Sequence, residues 1–263
     1  MLISDKYQFV FVHIPKCAGT FIRSHLRPFA ETEHFYHIKM HPDLGKVNFS
    51  HIPLSILEKH FRNDYEKILN YWSFAIVRDP SSRFVSSFAQ YLKEFKGLKL
   101  FKLGKKDIEN SLDEVITKLI QHDDSELLPL ELIHFQKQHS YIFSQEVQVV
   151  KQLYRNSDFG NLFGDLNRHT GTPITPKMVD ASNKMNETPL FFKNKLLRKI
   201  VEAPRPLKGR IFKHLPVGTQ AILKKALFAP KEKMEETIMR PVFVRQFVRD
   251  YYKMDFKLLA GLT

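Results

Sequence analysis

The sequence of 263 residues predicts an α/β fold with a mostly parallel central sheet, because strand-like and helix-like segments alternate along it. Short runs of β-branched and aromatic residues, typical of buried strands, alternate with longer segments in which apolar residues recur at helical spacing. Strands that alternate with helices favour parallel pairing, because each parallel connection has to cross the sheet. With 43% hydrophobic residues, the chain can bury a sizeable core, and we predict one domain over 1–263.

The individual elements follow from composition, periodicity and proline placement. Strands are predicted where β-branched and aromatic residues cluster, and helices where apolar residues share one face. Pro53 and Pro80 each favour a helix start, because the fixed φ of proline suits the first helical turn. In chain order we predict a strand at 8–13, a loop and helix over 14–29, a weaker strand at 34–39, a helix at 53–60, a strand at 71–77, a helix at 80–95, helices at 111–121 and 125–143, a strand at 147–150 and a helix at 240–261.

Composition excludes several classes of protein. One cysteine cannot form an internal disulfide or a zinc ribbon, and 10 Gly with 14 Pro are too few for a collagen-like chain. The sequence has no run of the roughly 18 apolar residues that a membrane-spanning helix needs, and its first residues do not resemble a signal peptide. The expected compartment is therefore the cytoplasm, although a lumenal enzyme expressed without its anchor would have the same sequence features.

The positive charge is concentrated in one segment. Of the formal net charge of +13, residues 193–233 carry +10, from 12 Lys+Arg against 2 Asp+Glu. The segment interleaves cations with Leu, Ile and Phe, a pattern typical of short amphipathic helices. Three interpretations stay open: a solvated basic face, a surface for an anionic polymer or acidic substrate, and a peripheral membrane contact.

The loop after the first strand has the composition of an anion site. A strand, a short loop with Gly19 and then a helix bring backbone N–H groups together at a helix N-terminus, where negative charge is favoured. Lys16 adds a mobile cation and Thr20 a hydroxyl donor. The spacing is not that of a Walker A loop, because Lys16 precedes Thr20 by four positions. The structural alternative is a tight turn that required a small residue.

A second cationic element follows the strand at 71–77. Arg78 ends this strand, and Ser86 lies about two turns into the next helix, so both side chains are expected to reach an anion bound at the first loop. Asp79, directly before Pro80, is expected to cap the helix, and Arg83 is expected to be a structural ion-pair partner.

The two elements, HIPKCAGT at 13–20 and IVRDPSSRFVSSF at 76–88, resemble the PAPS-dependent sulfotransferases, especially the glycan O-sulfotransferase branch. Weaker similarities continue in HFQKQHSYIF at 134–143, KMNETP at 184–189 and DYYKMDFKLLAGL at 250–262, so the resemblance covers nearly the whole chain. It implies a P-loop-like three-layer fold with a helical C-terminal third. Cys17 and Ala18 depart from the family pattern, where Thr or Ser and then Gly are usual.

The resemblance also assigns the donor site. It implies that Lys16, Thr20 and the amides of Ala18 and Gly19 bind the 5′-phosphosulfate of 3′-phosphoadenosine 5′-phosphosulfate (PAPS). Arg78 and Ser86 would then bind its 3′-phosphate, and no metal would be needed.

The same resemblance points to the general base. Ser50-His51-Ile52-Pro53 lies between the two donor elements, where the branch carries its catalytic histidine, so His51 is the predicted base and Lys16 the second catalytic residue. A neutral imidazole at cytoplasmic pH suits removal of a proton from an alcohol. His134 and, less favoured, His41 are the alternatives.

The leading hypothesis is thus an enzyme that moves a sulfuryl group from PAPS to a hydroxyl of a carbohydrate or polysaccharide, acidic ones included. Lysines recur every three residues from Lys93 to Lys105, a spacing compatible with an acidic sugar chain or with a solvated face. The alternatives are a nucleotide-dependent P-loop kinase-like enzyme and a non-catalytic binder of acidic polymers or membranes. Nucleic acid is not an expected partner, because no recognition motif is present.

Overall fold

A computed structural model describes residues 1–31, 35, 37–98, 100, 103–174, 191–192, 228–229 and 231–262. The helices and strands of these residues are, in chain order, β1 (Leu2–Ser4), β2 (Phe9–Val12), α1 (Gly19–Leu26), β3 (Ile38–His41), β4 (Gly45–Asn48), α2 (Leu54–His60), α3 (Arg62–Asn70), β5 (Trp72–Val77), α4 (Pro80–Phe95), α5 (Lys105–Gln121), β6 (Phe143–Ser144), β7 (Val147–Gln148), β8 (Gln152–Arg155), α6 (Phe159–Thr170), β9 (Phe191–Phe192), β10 (Phe228–Ala229), α7 (Lys231–Met239), α8 (Val242–Tyr251) and α9 (Lys253–Ala260). Among the described residues, 3₁₀ turns include Arg27–Phe29, Leu130–Phe135 and His139–Tyr141.

The central sheet has four strands in the order β1-β2-β5-β8. β2 pairs parallel with β5, and β5 pairs parallel with β8, whereas β1 is antiparallel to β2. The predicted mixed α/β class with a mostly parallel sheet is therefore confirmed. The P-loop-like, three-layer description stays a prediction.

The sheet is buried because its strands are apolar on both sides. Phe9 and Phe11 lie beside Trp72 and Phe74 in the parallel register, so their rings share one face. The other face carries Val10 and its neighbours, and nearly every residue of β2 and β5 is buried, as expected for strands covered on both sides.

Two apolar clusters meet at the site described below. One surrounds the sheet and includes residues of α1, α2, α3 and α6. The other includes residues of α4, α5, α7, α8 and the turn Leu130–Phe135. Since β5 belongs to the first cluster and α4 to the second, the Arg78–Asp79 connection crosses the boundary between them.

Most of the predicted elements up to Phe95 agree with the structure to within a few residues. The weak strand at 34–39 is displaced, because β3 covers Ile38–His41 and pairs with β4 in a separate hairpin. Helix α5 begins at Lys105, before the predicted start at residue 111.

The predicted helix at 125–143 is wrong. Only the two 3₁₀ turns at Leu130–Phe135 and His139–Tyr141 form there. The N–H groups of Gln138 and His139 donate to the two carboxylate oxygens of Asp255, each at 2.9 Å, instead of to carbonyls of a preceding helical turn. A long-range polar contact thus replaces the local helix.

Two later predictions also need correction. The predicted strand at 147–150 reduces to β7, which pairs only with β6, and the last strand of the main sheet is the unpredicted β8. The C-terminal helix is two helices, α8 and α9, that meet at Tyr252. Tyr252 is buried, and its hydroxyl donates to the Phe135 carbonyl oxygen at 2.8 Å, which fixes the break.

Residues 184–189 and most of the basic segment 193–233 lie outside the described residues, as do Lys99 and Lys102 of the lysine series. Within the described part of the chain, no helix is long and apolar enough to cross a membrane.

Candidate active site

The loop from β2 to α1 has an open helix N-terminus. Lys16 and Ala18 have φ values of 64° and 61°, a left-handed conformation that costs residues with a side chain roughly 1–2 kcal/mol. No side chain caps α1, and its first turn contains no acidic residue. The Phe21 N–H donates to the Ala18 carbonyl oxygen at 3.0 Å, whereas the two helical residues before it, Gly19 and Thr20, have no carbonyl in the helix to bind. Their N–H groups therefore present donors and the positive end of the helix dipole to an anion.

Gly19 is required by the packing of His13. A Cβ placed on Gly19 would lie 1.8 Å from Nε2 of His13, whose ring is buried against this position. The glycine thus lets the first helical turn approach the end of β2 closely.

The side chain of Lys16 lies against α4. Its Nζ donates to Oε1 of Gln90 at 3.1 Å. Burial lowers the pKa of Lys16 to about 8; the negative charge of Glu94 opposes this effect, and the positive charge of Arg78 adds to it. Lys16 is therefore a partly desolvated cation that is still mostly protonated at neutral pH.

Arg78 joins the two predicted donor elements. Its NH1 donates to the carbonyl oxygen of Lys16 at 3.2 Å, and its Nε donates to the hydroxyl of Ser82 at 2.9 Å. Half-buried Ser86 lies one turn beyond Ser82 and one turn before Gln90 on the same face of α4. Lys16 and Arg78 are thus in direct contact, and Ser86 lies on α4 between Ser82 and Gln90, the two residues that they bind.

A buried glutamine that the sequence analysis missed holds this junction. Gln138 Oε1 accepts hydrogen bonds from the Arg78 N–H at 3.0 Å and from the thiol of Cys17 at 3.2 Å. Gln138 Nε2 donates to the carbonyl oxygen of Arg78 at 2.9 Å. The only sequence signal was the position of Gln138 in the HFQKQHSYIF stretch. Burial raises the pKa of Cys17 to about 12, so the thiol serves here as a hydrogen-bond donor.

Arg83 and Asp79 behave as the sequence predicts. Arg83 is fully buried, and its NH2 lies 3.6 Å from Oδ2 of Asp255, which is buried as well. Asp79 Oδ1 accepts a hydrogen bond from the N–H of Ser82 at 2.8 Å, which caps α4. Both residues are structural: one anchors α4 to the C-terminal helices, and the other closes its N-terminus.

His51 is the middle member of a cluster of three imidazoles. Its ring centroid lies 4.5 Å from that of His13 and 5.5 Å from that of His134. His51 Nδ1 lies 3.3 Å from the carbonyl oxygen of His13, and because a carbonyl only accepts, Nδ1 carries the proton. Nε2 of the neutral ring is then free of a proton and has the form that a general base requires.

The cluster is held in its neutral state. Burial lowers the pKa of both His51 and His13, and the positive charge of Arg23 acts in the same direction on both. Burial likewise lowers the pKa of His134 to about 3, with the nearby charges of Lys16 and Arg83 acting in the same direction. The imidazoles therefore stay uncharged at neutral pH.

His134, the alternative base, borders the cluster on the α4 side. Its Nδ1 lies 4.0 Å from Oε2 of Glu94, and its side chain is 12% exposed. The carbonyl oxygen of His134 accepts hydrogen bonds from Arg83 and Ser87. His41, the less favoured alternative, lies instead in the β3–β4 hairpin, where its ring contacts those of His60 and Phe61.

An uncapped helix start beside cations suits an anion, and a neutral imidazole suits proton transfer. The model of the sulfotransferase family matches residues 1–161, which include both donor elements and all three clustered histidines. Because this match covers more than half of the chain, the protein belongs to the sulfotransferase family. No curated protein and no solved structure matches the chain.

Proposed function

We propose that this sulfotransferase uses PAPS as its donor and a carbohydrate hydroxyl as its acceptor, with His51 as the general base. The observation that carries the proposal is the Arg78–Lys16 hydrogen bond across the uncapped start of α1, next to an imidazole whose tautomer suits a base. The donor assignment agrees with the general use of PAPS in the family.

The donor site would divide its contacts between the two ends of PAPS. Lys16, Thr20 and the amides of Ala18 and Gly19 would bind the 5′-phosphosulfate, where backbone donors and the helix dipole favour an anion. Arg78 and Ser86 would bind the 3′-phosphate, which distinguishes this donor from ATP. The partial desolvation of Lys16 supports the assignment, because a less hydrated cation interacts more strongly with phosphate.

The proposed reaction is an in-line displacement at sulfur. The acceptor oxygen forms a bond to sulfur, the bond between sulfur and the 5′-phosphate oxygen breaks, and adenosine 3′,5′-bisphosphate leaves. The acceptor proton moves to Nε2 of His51, and Lys16 stabilises the charge that develops on the leaving phosphate. The His13 carbonyl oxygen, which accepts the Nδ1–H of His51, stabilises the imidazolium that forms.

The donor assignment is tested by ligand-dependent thermal stability. Adenosine 3′,5′-bisphosphate is expected to raise the melting temperature, and ATP with Mg²⁺ to have little effect. Lys16→Ala should remove the shift, whereas Lys46→Ala, at an exposed position in β4, should retain it. Stabilisation by ATP-Mg alone would contradict the proposal and favour the kinase-like alternative.

The base is tested by turnover with radiolabelled PAPS and a panel of glycans. His51→Ala should lower kcat by about 10²–10⁴-fold and leave bisphosphate binding intact, because proton transfer is lost and the donor contacts are not. The matched variant His134→Ala should retain most activity. If the two results are exchanged, His134 is the base.

The third alternative, a non-catalytic binder, is tested by the same panel. We expect transfer to at least one polysaccharide with free hydroxyls. Bisphosphate binding without transfer to any acceptor, including simple alcohols, would contradict catalysis. The contribution of residues 193–233 to binding of acidic polymers or membranes stays a prediction.

A further inference from the structure

A group of side chains that could ligate a metal ion lies outside the candidate donor site. Ligand atoms of His41, Asp43 and His60 all lie within 4.8 Å of one another. The rings of His41 and His60 have centroids 5.2 Å apart, and Nδ1 of His60 lies 3.6 Å from Oδ2 of Asp43. The hypothesis of sulfuryl transfer uses none of these three residues.

Neighbouring contacts already orient the ring of His41. The N–H of Asp43 donates to Nδ1 of His41 at 3.2 Å, so Nδ1 acts as an acceptor and Nε2 carries the proton in the neutral ring. The ring of His41 also packs against Phe61 with centroids 5.4 Å apart. Asp43 is 70% exposed and the side chain of His60 is 23% exposed, so an ion can reach the cluster from solvent.

The backbone places the cluster at a junction. His41 ends β3, Asp43 lies in the turn to β4, and His60 is the last residue of α2. A cation at the end of α2 is favoured by the negative end of the helix dipole. The chain between the two histidines contains β4, the connection with His51 and the rest of α2.

We propose that His41, Asp43 and His60 bind a divalent transition-metal ion of the Zn²⁺ type. Two imidazoles and one carboxylate are ligands that Zn²⁺ and its neighbours prefer, whereas Mg²⁺ prefers oxygen ligands alone. Three protein ligands leave at least one coordination position for water. Binding would release the Nε2 proton of His41 or turn its ring, because the ligand nitrogen has to be unprotonated.

The ion would join the β3–β4 hairpin to the end of α2. It would thus close the segment 41–60, which contains His51, and stabilise the folded chain. This role is independent of the sulfuryl transfer chemistry and does not depend on the proposed function.

The test is titration of the full chain, dialysed against a chelator, with Zn²⁺ followed by calorimetry. We expect binding of one ion at the cluster, a rise in melting temperature with Zn²⁺ and little effect of Mg²⁺ at the same concentration. His60→Ala should weaken Zn²⁺ binding by at least about tenfold. Removal of a residue that only supports a ligand typically lowers metal affinity by about 10–100-fold, and removal of a ligand itself should cost no less. Substitution by Co²⁺ should give visible d–d absorption that His60→Ala removes.

Two further variants locate the site. His122→Ala, a histidine at the end of α5 outside the cluster, should bind Zn²⁺ like the wild-type chain. His51→Ala separates this site from the three imidazoles of the candidate active site, and it should also bind normally. The proposal is overturned if His60→Ala binds as the wild type does, if His51→Ala removes the binding, or if the wild-type chain does not bind Zn²⁺.

Discussion

The two βα connections that build the candidate donor site begin their helices in opposite ways. After β5, the helix α4 has Pro80 in its first turn and the carboxylate of Asp79 on the N–H of Ser82, so its N-terminus is closed by the chain itself. After β2, the helix α1 begins at Gly19, and the preceding residue, Ala18, has a left-handed backbone and no side-chain cap. The closed connection contributes cations and hydroxyls through side chains, and the open one contributes backbone donors.

This difference shows how one topology provides two kinds of contact. An uncapped helix start costs stability, because capping residues typically contribute about 1 kcal/mol. The left-handed residues of the first loop add further cost. Compensating contacts come from Arg78 of the second connection and from Gln138, which both bind the first loop. Gln138 also binds the backbone of Arg78, and its own N–H donates to Asp255. The predictions below test this division between an open, strained loop and a closed, supporting one.

The largest effect is expected at Gly19. Gly19→Ala places a methyl group on the buried ring of His13, so His13 has to move, and the position of His51 next to it changes as well. We expect a loss of about 1–3 kcal/mol in the free energy of unfolding, measured by chemical denaturation, together with loss of bisphosphate binding.

The matched control is Gly160→Ala. Gly160 lies in α6, and a Cβ there meets nothing within 4 Å, so alanine should be neutral or stabilising at this position. Equal stability of the Gly19→Ala and Gly160→Ala chains would show that the close approach of α1 to β2 is not required.

A second prediction concerns the charge of the open loop. Because burial lowers the pKa of Lys16 to about 8, bisphosphate affinity should be nearly constant below that pH and decline above it. The decline should approach tenfold per pH unit as the free enzyme loses the Lys16 proton. Lys16→Arg, which stays charged, should bind with a flatter pH profile, as measured by calorimetry across this range. If bisphosphate affinity declined equally in the wild type and in Lys16→Arg, a group other than Lys16 would be responsible for the pH dependence.

The elements that depend on local sequence patterns were predicted well. The strands β2 and β5, the helix α4 and the Asp79 cap follow from short-range composition, periodicity and proline placement, so their prediction needs no tertiary information. Lys16 and Arg78 were identified because they lie in predicted βα loops, and loops at the carboxyl ends of parallel strands meet at one edge of a sheet. Ser86 was identified because it lies about two turns into the helix that follows the second loop.

Long-range polar contacts account for what the sequence missed. The region 125–143 has helical periodicity, yet two of its N–H groups bind Asp255, which is more than 100 residues away in the chain. The role of Gln138 depends on the same contact. The grouping of His13, His51 and His134 comes from three separate segments, so no spacing in the sequence indicates it.

The closed connection is tested by Asp79→Ala. Loss of the hydrogen bond to Ser82 should lower the free energy of unfolding by about 1 kcal/mol and change bisphosphate affinity little, because the Asp79 carboxylate caps α4. Asp158→Ala is the matched control, since Asp158 also precedes a helix but forms no capping hydrogen bond there. A large loss of affinity in Asp79→Ala would mean that the second connection acts directly on the donor.

The smallest effect is expected from Ala18→Gly. Ala18 has a φ of 61°, and glycine adopts this conformation without the steric cost of a Cβ. Part of the gain is offset by the greater freedom of glycine in the unfolded chain, so we expect a net stabilisation of about 0.5–1 kcal/mol by denaturation. The opposite sign is expected for Ala89→Gly, which lies inside α4.

Bisphosphate affinity should be unchanged in Ala18→Gly, because the amide that would contact the donor is the same in both residues. Stabilisation together with unchanged affinity would show that the strain of the first loop is a cost of alanine at this position, and that the open backbone itself provides the anion contacts.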